Sequence, residues 1–403
     1  MTGLGLYTDL YELRMVESYL RLGMTAPATF SLFVRPTRAR PVLVSCGLDI
    51  ALDLLERFRF GAEEIAYLRG QGIAEAALDW LAAMAPAGEL WAVPDGTVLL
   101  GDEPLLEMTA PMPIAQLLEA ALMNAMHGST VVASKAARLA RAARGRAVVD
   151  FGFRRAHGLE TGVRAAVAAY VGGVAATSCV EAGRRFGVPL AGTMAHSFVQ
   201  AFDREIDALF EFAADHPGTT LLVDTYDTLE GVAAAIRVAR ELAGRGVQVG
   251  GVRIDSAPLG ELGRAARAML DHAGLPGVKI VASGGLDEEE IAGLIAAGAP
   301  YDAFGVGSAL VCSTDRPALD IAYKLVEYDG AGRAKYSRDK ATLPGKKQVL
   351  RTGGPADDVL ELRGAARGGA GQGLLELVWQ DGERRYRFEP DAARRRAAAA
   401  LEP

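Results

Sequence analysis

The residues able to bind phosphate or move a proton in this 403-residue sequence recur at one kind of place, the polar or glycine-rich end of a short apolar run. In Lys279-Ile-Val-Ala-Ser-Gly-Gly-Leu-Asp-Glu-Glu-Glu-Ile the run leads into Ser283, Gly284 and Gly285. A helix start follows, with Asp287 as N-cap and Glu290 at the capping-box position. In Tyr301-Asp-Ala-Phe-Gly-Val-Gly-Ser-Ala-Leu the pattern recurs, so Gly305, Gly307 and Ser308 can offer bare backbone N–H groups to a phosphate. Either loop alone reads equally well as glycines that turn the chain after a strand. The two in succession match the phosphate site that α/β barrels build after their last two strands.

Three further strand ends carry candidate chemistry. Asp150-Phe-Gly-Phe-Arg-Arg-Ala-His-Gly places Arg154 and Arg155 side by side. A guanidinium keeps its charge and binds phosphate bidentately, which suits a pyrophosphate clamp, although a solvated basic loop would look the same. The run Gly192-Thr-Met-Ala-His-Ser-Phe-Val brings Thr193 and His196 to another strand end. Neutral imidazole can serve as acid, base or phosphate acceptor, but a lone histidine is more often structural. Leu222-Val-Asp-Thr-Tyr-Asp-Thr and Val252-Arg-Ile-Asp-Ser supply Asp224, Asp227, Arg253 and Asp255. Carboxylates there can orient a histidine, hold ribose hydroxyls or bind Mg²⁺. Asp227 and Ser256 also read as helix N-caps, whereas Asp224 and Asp255 end apolar runs directly and are the stronger candidates.

The elements that must position these groups form an α/β pattern. From Arg146 onward apolar runs alternate with alanine-rich helical stretches, the signature of βα units and a parallel sheet. Strands are expected at 147–151, 174–177, 188–192, 220–224, 251–255, 279–283 and 302–306, a seven-strand, incomplete α/β barrel whose C-terminal strand ends carry the function. Ahead of it, a helix at 9–22, strands at 29–34, 88–100 and 104–109, and helices at 48–58 and 114–126 make a second, α+β domain. The expected division is 1–135 for this N-terminal domain and 136–327 for the barrel. Residues 328–403 then form a loop-rich segment that packs on the N-terminal domain, with a short alternating run at 374–378 and a frayed helix from Arg394.

Composition narrows the partners. A net charge of −7 gives no footprint for nucleic acid or an anionic membrane, so an anion must be gathered by a local basic site. Cys46, Cys179 and Cys312 lie far apart without metal-ligand spacing, which fits a reducing compartment. The start lacks the basic and apolar regions of a signal peptide, and no run is long and apolar enough to span a bilayer. A cytoplasmic protein that acts on a small phosphorylated ligand is expected.

Taken together and in order, these segments resemble the nicotinate phosphoribosyltransferase family of type II phosphoribosyltransferases. The resemblance also rests on Tyr7-Thr-Asp-Leu-Tyr-Glu near the start and Lys340-Ala-Thr-Leu-Pro-Gly-Lys-Lys-Gln-Val in the tail. It implies transfer of the ribosyl group of phosphoribosyl pyrophosphate to nicotinate, giving nicotinate mononucleotide and pyrophosphate in NAD salvage. It further implies Mg²⁺, and ATP as a co-substrate that phosphorylates His196. By the same resemblance Tyr11 and Thr193 contact nicotinate and Arg253 pairs with its carboxylate. Ser308 and the glycine loops hold the 5-phosphate, and a homodimer lets Tyr11 reach a site across the interface. Nicotinamide enzymes of this type place an acid where Thr177-Ser178-Cys179 lies, and the neutral Ser178 favours nicotinate. One segment departs: Ser256-Ala257-Pro258-Leu259 stands where many relatives have Ser-Gly-Asp-Leu, so no acidic contact is implied there. The alternatives are a sibling enzyme for nicotinamide or quinolinate, and a nucleotide-binding homologue without turnover.

Overall fold

The computed structural model describes residues 3–335, 343–364 and 371–401. Lys340 of the tail motif lies outside the described residues. The chain forms two compact units, one of Met1–Ser134 with Arg316–Pro403, the other of Lys135–Asp315.

The first unit is built on an antiparallel sheet of seven strands. Their order is Ala331–Gly332, Ile321–Tyr328, Pro27–Val34, Pro104–Pro111, Glu89–Ala92, Glu376–Gln380 and Glu383–Arg384. The interior strand Pro27–Val34 is buried along almost its whole length, as a strand covered on both faces is. Helix Leu10–Arg21 begins with a capping box of Asp9 and Glu12 and turns Leu13 and Val16 into the core. The C-terminal segment is stitched to this sheet by a buried ion cluster. Glu107, with no exposed surface, faces Lys347 Nζ at 3.1 Å and Arg363 Nη2 at 2.6 Å. The Arg363 guanidinium also lies over Trp91, 4.1 Å from the ring centre. Helices Ala62–Gly70 and Glu75–Ala83 and strand Lys347–Arg351 were not expected, and the last helix starts at Pro390.

Residues 316–327, expected within the barrel domain, belong to this unit instead. Ile321–Tyr328 pairs antiparallel with Pro27–Val34, with Leu32 opposite Tyr323, so the second unit ends at Asp315. Apolar patterning marks such a run as a strand but does not say which sheet supplies its partner.

The second unit carries an open, parallel sheet of six strands, ordered Ala176–Thr177, Ala147–Asp150, Ala303–Val306, Lys279–Ala282, Gly251–Ile254 and Thr220–Leu222. Each strand is only two to four residues long. Because all pairs are parallel, every strand delivers the residues that follow it to the same edge. The expected seventh strand, 188–192, is reduced to a single parallel bridge between Thr177 and Leu190. Pro189 is the physical reason: it accepts from Thr177 N–H at 2.9 Å but has no N–H of its own to extend a ladder. Among the described residues no helix is long and apolar enough to cross a membrane.

Candidate active site

The strand ends of the parallel sheet enclose a cleft of about 580 Å³, a volume in the range of small-molecule sites. Its wall includes Arg154, Arg155, Ser178, Thr193, Arg253, Asp255, Ser283, Gly284, Gly285, Gly305, Gly307 and Ser308, and its outermost lining residues in sequence, Phe151 and Thr314, are 163 positions apart. Three guanidinium groups against the carboxylates of Asp255 and Asp287 give the wall its cationic character. Asp287 is occupied locally, since its Oδ1 accepts from Glu289 N–H and Glu290 N–H as the helix N-cap.

Arg253 is the most constrained of the cations. It leaves strand Gly251–Ile254, lies over the Phe151 ring with 5.7 Å to the centroid, and donates from Nη2 to the Met194 carbonyl at 3.1 Å. Its Nε is buried and has no hydrogen-bond partner. Burial lowers its pKa from the usual guanidinium value, opposed by Asp255 and Asp224. A buried donor without an acceptor costs free energy until a ligand satisfies it, and an anion suits a guanidinium best.

Beside it, two carboxylates are arranged in series. Asp224 is buried; its Oδ2 accepts from Asp255 N–H at 2.8 Å and from Ser256 Oγ at 2.7 Å, while its Oδ1 has no partner. Asp255 is exposed in the cleft and accepts a hydrogen bond from Ser283 Oγ. Asp224 is not among the cleft-lining residues and supports Asp255 from beneath. Ser256, expected also as an N-cap, instead bonds Asp224, and the cap position of helix Leu259–His272 is Pro258. Asp227 does cap its helix, accepting from Leu229 N–H and Glu230 N–H.

The two glycine loops follow the paired strands Lys279–Ala282 and Ala303–Val306. Gly284 has φ +93°, and a Cβ there would sit 2.1 Å from the Asp255 carbonyl oxygen, so only glycine fits. Gly307 and Ser308 begin the short helix Ser308–Val311. Gly305 differs from expectation: it lies within strand Ala303–Val306, in register with Val149, and a Cβ would meet the Phe151 ring at 2.5 Å. There glycine supplies room for an aromatic ring, not an exposed loop amide. Arg154 and Arg155 form a one-turn helix with Phe153 and are both exposed to the cleft.

Two expected residues lie elsewhere. His196 opens the short helix Ala195-capped His196–Gln200, just past the lining stretch Gly192, Thr193 and Met194, with Nδ1 3.2 Å from Thr225 Oγ1. It is half-buried and not among the lining residues. Tyr11 belongs to the first unit, on helix Leu10–Arg21, next to the exposed side chains of Tyr7 and Leu10. The sequence reading missed Phe151 as a wall of the cleft and Asp150 beneath it, although both stand in the quoted arginine motif. No group of three or more metal-ligating side chains occurs among the described residues. One exposed carboxylate, Asp255, in a wall that also carries three guanidinium groups is a donor set that would suit a Mg²⁺ ion held largely by substrate phosphates.

The chain matches the model of the nicotinate phosphoribosyltransferase (NAPRTase) N-terminal domain over residues 6–127 and that of the NAPRTase family over residues 146–342. It is 50% identical over 348 residues to nicotinate phosphoribosyltransferase pncB2 of Mycobacterium tuberculosis strain H37Rv, covering 86% of this chain and 75% of that protein. The nicotinate phosphoribosyltransferase of Bacillus subtilis strain 168 is 39% identical over 358 residues, covering 86% and 73% respectively. Among solved structures, human nicotinic acid phosphoribosyltransferase is similar with a TM-score of 0.82 and 27% identity, over 98% of this chain and 93% of that one. The fold is also that of nicotinate-nucleotide pyrophosphorylase from Pyrococcus furiosus, with a TM-score of 0.80, 23% identity, and coverage of 98% and 94%.

Proposed function

The chain belongs to the nicotinate phosphoribosyltransferase family, and from that premise we propose how its cleft makes nicotinate mononucleotide and pyrophosphate from nicotinate and phosphoribosyl pyrophosphate. The pyridine nitrogen of nicotinate attacks the anomeric carbon as pyrophosphate departs, so positive charge grows on the ribosyl group and negative charge on the leaving group. The observation that carries the reading is Arg253: a cleft-lining guanidinium whose buried Nε lacks an acceptor, beside Phe151, Thr193 and the neutral Ser178. That is a binding place for a flat aromatic carboxylate, and no carboxylate at position 178 opposes it.

Arg154 and Arg155 receive the pyrophosphate and stabilise its growing charge, while Ser283, Gly284, Gly285, Gly307 and Ser308 hold the 5-phosphate. Asp255, steadied by Asp224 and Ser283, holds ribose hydroxyls or the Mg²⁺ that accompanies pyrophosphate. Bound Mg²⁺ would neutralise phosphate charge. Fixing both substrates in one orientation supplies much of the remaining acceleration.

ATP enters as a co-substrate through His196. Thr225 Oγ1 at Nδ1 orients the ring, leaving Nε2 as the nitrogen without a partner among the described residues. Phosphorylation there and hydrolysis of the phosphohistidine draw the transfer forward. The enzyme works in the cytoplasm as a homodimer, in which Tyr11, on a helix with exposed Leu10 and Tyr7 beside it, serves the nicotinate site of the other copy.

A substrate panel tests the assignment. Nicotinate, nicotinamide and quinolinate are each incubated with phosphoribosyl pyrophosphate and Mg²⁺, with and without ATP, and the mononucleotides are separated by chromatography. Nicotinate mononucleotide should form fastest, and faster with ATP. Formation of nicotinamide or quinolinate product in its place would overturn the assignment, and tight binding with no pyrophosphate release would identify a binding homologue.

A further inference from the structure

Asp150 is wholly buried at the end of strand Ala147–Asp150, and its carboxylate joins two separate lips of the cleft. Oδ1 accepts from Gly152 N–H at 2.7 Å, inside the turn that leads to Arg154 and Arg155. Oδ2 accepts from Thr177 Oγ1 at 2.7 Å, at the end of the neighbouring strand that leads to Ser178. The backbone repeats the connection, since Ser178 N–H donates to the Asp150 carbonyl at 2.8 Å. Thr177 Oγ1 in turn accepts from Cys179 N–H at 3.0 Å, so one hydroxyl ties the carboxylate to both sides of Ser178.

The room around this network is tight. A Cβ on Gly152 would meet Val311 Cγ1 at 2.2 Å and lie 3.0 Å from both Asp150 Oδ1 and the Gly307 carbonyl oxygen. The arginine turn therefore has a single seat, and Asp150 holds it there. Burial raises the Asp150 pKa while the Thr177 and Gly152 hydrogen bonds lower it, so these two donors are what favour the ionised form.

We infer that Asp150 is a positioning residue for the transfer reaction, setting Ser178 at the pyridine end through Thr177 and the Arg154–Arg155 turn at the pyrophosphate end through Gly152. It touches neither substrate. The inference rests on the assignment of those two ends given above, and the two arms of the carboxylate make it separable: breaking the Thr177 arm should disturb one end alone.

The test uses the full chain carrying Thr177→Val, Thr177→Ser and Asp150→Asn, with kcat and KM measured for each substrate at saturation of the other. Thr177→Val removes the hydroxyl, and Asp150→Asn keeps an acceptor for Gly152 N–H while turning an NH₂ toward Thr177. Both should raise KM for nicotinate about tenfold or more, the scale of a small misplacement of a binding group, with KM for phosphoribosyl pyrophosphate within about twofold. Thr177→Ser should restore the native values. If Thr177→Val does not fold, Asp150→Asn alone gives the same comparison. An equal rise in both KM values, or none in folded variants, would overturn the positioning role. Arg253→Ala and Arg155→Ala check the ends separately: if these fail to divide the two KM values, the assignment of the ends is wrong, whereas if they divide them and the Thr177 arm does not, Asp150 is not the positioning residue.

Discussion

Arg253 Nη2 donates to the Met194 carbonyl oxygen at 3.1 Å, and this bond ties the end of strand Gly251–Ile254 to the loop that carries Thr193 and, two residues beyond Met194, His196. One side chain thus lines the cleft where the pyridine is proposed to bind and braces the loop that leads to the residue proposed to couple ATP.

Arg253→Ala should raise KM for nicotinate about 10- to 100-fold, the equivalent of roughly 1.5–3 kcal/mol for a lost hydrogen bond to a charged group. Arg253→Lys keeps the charge but not the fork geometry and should recover only part of the loss. Steady-state kinetics with nicotinate as the varied substrate decides this, and an unchanged KM in Arg253→Ala would remove the carboxylate pairing.

The adjacent glycines Gly284 and Gly285 of the cleft wall should respond differently to alanine. At Gly284 the positive φ coincides with a backbone oxygen 2.1 Å from the added Cβ, so Gly284→Ala should cost about 3 kcal/mol or more. At Gly285 φ is +69° but nothing lies within 4 Å of the added atom, so Gly285→Ala should cost only about 1–2 kcal/mol. Denaturant unfolding of the two variants measures the difference; equal losses would mean that the Asp255 carbonyl is not the obstacle.

The Glu107 cluster should be strongly coupled. Glu107→Ala leaves Lys347 and Arg363 buried against the sheet without their counter-charge and should cost about 3–5 kcal/mol. Urea titration followed by tryptophan fluorescence is suitable, because Trp91 lies under Arg363. A loss below about 1 kcal/mol would place the cluster with ordinary surface pairs.

Stability of the first unit should depend on pH through Asp95. Its carboxyl has no exposed surface, and burial together with the Asp49 carboxylate pushes its pKa up from 3.8 to about 7. Between these values the folded chain holds a proton that the unfolded chain has released. The contribution is therefore full below pH 3.8, declines as pH rises and is lost above about 7. Asp95→Asn keeps an acceptor for Gly47 N–H and Leu48 N–H and should flatten this decline in melting temperature between pH 4 and 7. A native slope that persists in Asp95→Asn would assign the dependence to other groups.

Much of the second unit was legible because its strands are short, apolar and parallel. Each ends abruptly in glycine or a polar residue, so Ser283-Gly284, Asp255 and Arg154 could be placed at one edge before their contacts were known. What the pattern could not carry was pairing. Val188-Pro-Leu has a strand's composition, yet Pro189 limits it to one bridge. Ile321–Tyr328 has a strand's pattern, yet its partner is Pro27–Val34, nearly 300 residues earlier. Asp150 was hidden for the same reason: its importance lies in a hydroxyl 27 residues away and a turn amide two residues on, and no local spacing announces both. Gly305 shows the converse, a glycine in a plausible phosphate motif whose role is to make room for Phe151.

His196 carries the most exposed part of the account, because it follows the lining stretch Gly192, Thr193 and Met194 without lining the cleft itself, and Thr225 is its hydrogen-bond partner among the described residues. The direct measurement is incubation of the native protein and His196→Ala with γ-labelled ATP and Mg²⁺, followed by quantification of acid-labile, protein-bound label. Native protein should take up label that is discharged when nicotinate and phosphoribosyl pyrophosphate are added, and His196→Ala should take up none. Equal label on both proteins would contradict the account and remove His196 from the coupling of ATP to phosphoribosyl transfer.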